Sequence, residues 1–210
     1  AVLLAYSKMW LFDEFLADLD LFLRFESQAA DRVPAGFEVG FGAGGVEGEP
    51  LARPEPLSID LGGGLRFRLR GRIDRIDRLP DGTYDVVDYK TGRLWLPGGT
   101  NALFAGGRQL QHALYALAAA HLLRAADPAA RVSRSSYYFP TRRGRAERLV
   151  RPGENPDTPH VLRDLFDVLA AGAFVHTASK DDCRYCEFSR ACGRDPVERA
   201  GAKLDHAPNV

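Results

Sequence analysis

Two runs of the chain, Leu65–Leu79 and Thr83–Lys90, are separated by Pro80-Asp81-Gly82. Proline presets the first turn position and glycine supplies a positive φ, so this triplet folds the chain back on itself. Leu65, Phe67 and Leu69 alternate with arginines, the period of a strand with one apolar face. The two runs are therefore expected to pair as an antiparallel hairpin. Phe37–Phe41 and Leu57–Leu61, the latter turning at Gly62-Gly63-Gly64, extend it to a meander of three or four strands. Alternation also fixes where side chains go, because residues two apart on a strand share a face. Asp88 and Lys90 project together, Val87 and Tyr89 point the other way, and the hairpin can bring Asp74 beside Asp88.

Around this meander the pattern is mostly helical. Residues 1–30 read as a helix with more apolar positions (Trp10, Phe12, Phe15, Leu16, Leu19, Phe22, Leu23, Phe25) than one narrow stripe needs. Such a helix is either buried or packs on a partner. Pro34 is expected to end that region. Gly42–Pro56 and Arg93–Gly107 are rich in glycine and proline and read as loops. Arg108–Ala126 and Asp157–Ala171 are helices, Val132–Pro140 is a strand, and Arg142–Arg151 is a basic hairpin or loop. The order helix, meander, helix, strand, helix and cysteine-bearing tail specifies an α/β or α+β domain with a mixed sheet. The expected divisions are an N-terminal helical segment (1–35), a core (36–178) and a C-terminal cysteine segment with its tail (179–210), all within one domain.

Asp74, Asp88 and Lys90 carry the chemistry. Two close carboxylates repel unless a cation neutralises them, and a hard divalent ion such as Mg²⁺ or Mn²⁺ suits an all-oxygen site. Such an ion can bind a water and a phosphate oxygen while the lysine orients the water and offsets phosphate charge. In-line attack on a phosphodiester follows. The lysine is the more pointed signal because the chain has only four, Lys8, Lys90, Lys180 and Lys203, among 28 basic residues. Asp77, three residues from Asp74, reads as a salt-bridged or capping residue.

These residues carry a resemblance. Gly71-Arg-Ile-Asp-Arg-Ile-Asp77, then Asp88-Tyr-Lys-Thr-Gly92, then Gln111-His-Ala-Leu-Tyr115 resemble the RecB-type branch of the PD-(D/E)XK nucleases, over about Phe37 to Gly193. The resemblance implies a restriction-endonuclease-like core, a mixed central β-sheet flanked by helices. It implies a metal-dependent active site of Asp74, Asp88 and Lys90, with the Tyr89 backbone carbonyl completing coordination. Gln111 and Tyr115, spaced i, i+4 and so on one helical face, would border the active site and DNA. The family's early glutamate falls best on Glu38, with Glu26 as its rival.

Cys183, Cys186 and Cys192 are the only cysteines, an odd number within ten residues, which argues against a disulfide framework. Their spacing resembles the iron–sulfur staple of AddB-type helicase–nucleases and of related CRISPR-adaptation nucleases, where a fourth cysteine completes a 4Fe-4S cluster. The sulfurs are expected to converge. Zinc with His176, or free thiols, are the other readings. The chain opens without Met inside a helix and is expected to be a piece of something longer.

The resemblance points to a DNA exonuclease module of a repair helicase–nuclease, with DNA and helicase domains as partners. A stand-alone CRISPR-adaptation nuclease or a non-catalytic DNA-binding scaffold are the alternatives. With 28 basic and 28 acidic residues the formal net charge is zero, which excludes a histone-like binder but not local patches. Arg142, Arg143 and Arg145 form one candidate patch for sequence-blind phosphate contacts, and the row Arg66, Arg68, Arg70 and Arg72 another. No run of about 18 apolar residues occurs, and a cytoplasmic, reducing setting is expected.

Overall fold

The computed structural model describes residues 2–29, 31–42, 44, 47–94, 96, 99–173, 180–184, 186–193, 195 and 197–199. The backbone divides into two compact units, Ala1–Thr158 and Pro159–Val210.

The first unit is built on a five-stranded sheet in the order β1-β4-β5-β6-β7. Helix α1 (Val2–Gln28) runs without an internal glycine or proline, and β1 (Val33–Phe41) follows it. Pro34, where the sequence placed the end of the helical region, lies instead inside this strand, and the helix has already ended at Gln28. The strand lies at the sheet edge, where a missing N–H is tolerated, and its register shifts beside the proline, between Pro34 and Gly36. Strands β2 (Leu57–Asp60) and β3 (Arg66–Leu69) pair with each other in a separate two-stranded sheet. Gly62, Gly63 and Gly64, all at positive φ, make their turn.

The long strand expected over Leu65–Leu79 is therefore two strands. It breaks at Arg70, and β4 (Gly71–Arg78) enters the main sheet between β1 and β5 (Tyr84–Tyr89). Gly71 marks the crossing. A Cβ there would lie 3.0 Å from the Phe41 ring, so a larger residue would force β1 and β4 apart. As a result Arg66 and Arg68 lie on β3 and Arg72 on β4, and the four arginines do not form one row. The turn between β4 and β5 is as expected. Gly82 has φ 82°, and Asp81 accepts the Thr83 N–H at 2.9 Å.

After β5 the chain crosses through helix α2 (Gln111–Arg124) to β6 (Val132–Phe139), which runs parallel to β5. Strand β7 (Glu147–Pro152) then returns antiparallel to β6. Val39, Phe41, Ile73, Ile76, Val86 and Val132 form one core with Ala116, Ala119, Leu122 and Leu123 of α2 and with Leu57 and Ile59 of β2. The alanines of α2 let its backbone approach the sheet closely. Central strand β5 is buried from Asp85 to Asp88, which is why this strand can carry a site shielded from bulk water. Helix α1 has a different surface. Phe12, Leu16, Leu19 and Leu23 are exposed, while Phe22 packs on Tyr89 and Tyr138 at ring separations of 6.1 and 6.2 Å.

The second unit holds helix α3 (Thr158–Ala170) and the one-turn helices α4 (Lys180–Cys183) and α5 (Ser189–Cys192). No helix among the described residues is long and apolar enough to cross a membrane.

Candidate active site

The β4–β5 ladder runs from Arg78↔Tyr84 to Arg75↔Val87 and stops there. Where it stops, the side chain of Asp74 takes over from the backbone. Its Oδ2 accepts the Tyr89 N–H at 2.8 Å. This places Asp74 at the end of β5, where Asp88 and Lys90 emerge on the same side.

Asp88 is 6 % exposed. Its Oδ1 accepts a hydrogen bond from Gln111 Nε2 at 2.7 Å, and its Oδ2 lies 2.6 Å from Lys90 Nζ. Lys90 Nζ in turn donates to Gln111 Oε1 at 2.8 Å. The amide of Gln111, the first residue of α2, thus links acid and lysine in one closed triangle. Burial raises the pKa of Asp88, Lys90 pulls it back down, and the negative charge of Asp74 pushes it up again. The repulsion between carboxylates expected from the sequence is therefore felt in the fold. Lys90 also lies 5.5 Å from the centre of the Tyr137 ring, a cation–π seat on β6 that sequence reasoning missed.

Tyr115 lies one turn along α2 from Gln111. Its ring packs against the core, near enough to Gly71 that a Cβ there would lie 3.7 Å from it. Glu38 falls between the register pairs Phe37↔Arg75 and Val39↔Ile73, opposite Asp74, with φ 48°. Its carboxylate is ion-paired to Arg72 at 2.9 Å and is partly exposed. The rival, Glu26, lies behind the sheet. It binds Arg75 at 2.6 Å, and Arg75 reaches the Tyr89 side chain, which points away from Asp88 and Lys90. Asp77 is the salt-bridged residue expected of it, with Arg75 Nε at 2.5 Å and no exposure.

The donor set was tested against a hard divalent ion. Among the described residues no three His, Cys, Asp or Glu side chains gather at one point. An ion here would therefore rest on the two carboxylates, backbone oxygen and water, as Mg²⁺ and Mn²⁺ accept. Asp88 Oδ2 is buried, and beyond its ionic contact with Lys90 it has no hydrogen-bond donor of good geometry. That oxygen is paired with Lys90, and with Asp74 at the same strand end it offers the all-oxygen donor chemistry such an ion takes, so the residues fit the ion.

The cysteines do not fit a cluster in the same way. Cys186 N–H donates to the Cys183 carbonyl at 3.3 Å in a tight turn, but none of the three forms a disulfide and together they do not make a metal-holding group. Cys183 closes α4 and Cys192 closes α5. Thiolate clusters take four ligands and the chain has three cysteines. His176 lies outside the described residues.

The arginine patch is largely answered from within the chain. Arg143 pairs with Glu14 at 3.0 Å and Arg145 with Glu147 at 2.7 Å, while the Arg142 backbone N–H donates to Asp18 at 2.7 Å. A cavity of about 450 Å³ is lined by Asp13, Glu14, Arg142 and Arg143.

A family model for the PD-(D/E)XK nuclease superfamily matches residues 7–193. The chain belongs to that superfamily. Its mixed central sheet of five strands is the architecture the resemblance implied. The chain is 40% identical over 111 residues to an ATP-dependent helicase/deoxyribonuclease subunit of Symbiobacterium thermophilum, covering 51% of this chain and 9% of that protein. It is 52% identical over 62 residues to the protein of the same name from Ruminiclostridium cellulolyticum, covering 28% of this chain and 5% of that one. The chain thus matches less than a tenth of the length of these relatives.

Proposed function

We propose that this PD-(D/E)XK nuclease is a Mg²⁺- or Mn²⁺-dependent deoxyribonuclease, the exonuclease module of a DNA-repair helicase–nuclease. The observation that carries this reading is the convergence of Asp74, Asp88 and Lys90 where the β4–β5 ladder ends, with Gln111 joining Asp88 to Lys90. The relatives named as helicase/deoxyribonuclease subunits support DNA as substrate and a helicase as partner.

Asp74 and Asp88 would hold the ion, with the Tyr89 carbonyl as the backbone ligand and Glu38 at the edge of the same group. When bound, the ion supplies an acidified water and neutralises charge on the phosphodiester. Lys90, a third exposed, faces the incoming phosphate and orients the attacking water. Gln111 keeps the amine and the Asp88 carboxylate in fixed relation, so neither must be ordered during the reaction. Tyr115 buttresses the helix that carries Gln111. Arg142, Arg143 and Arg145 would exchange their acidic partners for phosphates, a salt-sensitive and sequence-blind contact.

The test is cleavage of end-labelled single- and double-stranded DNA with Mg²⁺, with Mn²⁺ and in EDTA. Cleavage is expected with either ion, from ends inward, and not in EDTA. Full activity in EDTA overturns the reading.

A further inference from the structure

Beyond Arg75↔Val87 no ladder pair holds β4 to β5. Two side-chain bonds to one residue, Tyr89, bridge the parting strands. In front, Asp74 accepts the Tyr89 N–H at 2.8 Å. Behind, Arg75 Nη1 donates to the Tyr89 hydroxyl at 3.2 Å. Tyr89 is itself the residue between Asp88 and Lys90, so its position sets both. We propose that Arg75 is a positioning residue for this site. It bridges Glu26, Asp77 and the Tyr89 hydroxyl behind the sheet, and so fixes where the Tyr89 backbone meets Asp74 in front and how far apart the two site carboxylates stand. The inference rests on the metal-dependent reading above and adds a residue that touches neither ion nor substrate.

Three observations carry it. Arg75 is 5 % exposed, and its fork is used by three elements at once: Glu26 of α1 at 2.6 Å, Asp77 of β4 at 2.5 Å and Tyr89 of β5. Filling that volume would not need a charge, since apolar residues do so without the desolvation cost. What the guanidinium adds is direction, because its planar fork fixes the angles of all its partners. The Tyr89 ring is held as well, 6.1 Å from Phe22 and 5.8 Å from Tyr138. Finally, the Asp74 carboxylate is oriented by the Tyr89 N–H, so a displaced Tyr89 turns the carboxylate. Displacements near 1 Å at such a site cost on the order of 10²-fold in rate.

The experiment reads Mn²⁺ affinity by electron paramagnetic resonance and exchange of the Tyr89 amide hydrogen without metal, so neither signal depends on cleavage. Tyr89→Phe removes only the hydroxyl. Arg75→Lys keeps the charge but not the fork, and Glu26→Gln keeps the shape but not the charge. Arg66→Gln, in the exposed Asp60–Arg66 pair of the other sheet, is the control. Tyr89→Phe and Arg75→Lys are expected to weaken Mn²⁺ binding about tenfold or more, the usual cost of removing a group that orients a ligand. Tyr89 amide exchange should quicken in both, Glu26→Gln should follow with a smaller effect, and the control should not move. Unchanged Mn²⁺ affinity and amide exchange in Tyr89→Phe would overturn the proposal, even if melting temperature falls, since that is a purely structural role. Wild-type protein that binds no Mn²⁺ would overturn the metal reading and this inference with it. Wild-type binding with an unchanged Tyr89→Phe variant overturns only the inference.

Discussion

The β4–β5 hairpin carries acids on both of its faces and treats them in opposite ways. In front, Asp88 is buried with one oxygen bonded to Gln111 and the other held only by an ionic contact with a partly exposed lysine. Behind, Asp77 and Asp85 face each other across the ladder at 0% and 2% exposure. Asp77 is held by Arg75 through Oδ1, while its buried Oδ2 has no hydrogen-bond donor and only Arg148 at 3.7 Å, and Asp85 accepts two contacts from the Ser136 hydroxyl at 2.9 and 3.0 Å. Burial works against the charge of Arg75, but its bonds to Asp77, Glu26 and Tyr89 more than offset this and hold it protonated. One strand alternation separates a carboxylate paired with a cation that reaches solvent, Lys90, from one paired with a buried cation, Arg75. The lesson is that a carboxylate's burial says little about its role. Whether the cation it faces is open to solvent says more.

The sharpest break in this comparison is functional. Asp88→Ala or Lys90→Ala removes one member of the front-face triangle with Gln111 and leaves the hydrophobic core of the sheet in place. Cleavage is expected to fall roughly 10⁴-fold, about 5 kcal/mol of barrier, while the circular dichroism spectrum stays that of the folded wild type. Both variants cutting at the wild-type rate in Mg²⁺ would remove the site from catalysis.

The mirror experiment is Asp77→Ala behind the sheet. It leaves Arg75 buried without its closest acid, and a broken buried ion pair costs about 3–5 kcal/mol. Urea unfolding should show that loss. A drop in stability no larger than that of an exposed pair would mean the back face is not the structural half.

Gln111→Ala sits between these two in kind and below them in size. It cuts the amide bridge but leaves both charged partners. Cleavage should fall about 10–100-fold, as for other groups that orient a ligand, with little change in unfolding. Gln111→Glu should be worse than Gln111→Ala, because it sets a second carboxylate against Asp88 Oδ1.

Much of this was legible in the chain and some was not, for physical reasons. Pro80-Asp81-Gly82 and the alternation of Asp88, Tyr89 and Lys90 are local signals, and the hairpin and its shared face follow from them. The break at Arg70 was hidden because alternation continues through Leu69-Arg70-Gly71. The close approach of Phe41, from β1, to Gly71 is a contact that local alternation does not reveal. Gln111 could be matched by its spacing to Tyr115, but its bridge to Asp88 required a crossover that sequence does not measure. Arg75 was written in the motif yet gave no sign of its task, since its partner Glu26 lies 49 residues away on another element.

The smallest expected effect comes from two buried groups on opposite sides of the sheet whose titrations oppose each other. Behind it, burial pushes the Asp85 carboxyl up to about 6, and Asp77 pushes the same way against Ser136, Arg134 and Arg32. The folded state holds a proton that the unfolded chain has released, so this contribution is present below about pH 4 and is lost as pH rises through 6. On the α2 side, burial holds His112 down at about 4, with Arg151 adding to the effect, between the rings of Phe104 and Tyr137. Here the unfolded chain takes the proton first, so stability is full above pH 6.5 and is lost as pH falls toward 4. Each contribution is on the order of 3 kcal/mol across the window, with opposite sign. Wild-type stability should therefore change by less than about 1 kcal/mol between pH 4.5 and 6.5. The variants expose the two halves. Asp85→Asn should lose stability on acidification, at up to about 1.4 kcal/mol per pH unit. His112→Phe should gain it over the same range. Urea titrations of the three proteins at several pH values decide the matter, and parallel slopes in all three would show that the two faces do not oppose each other.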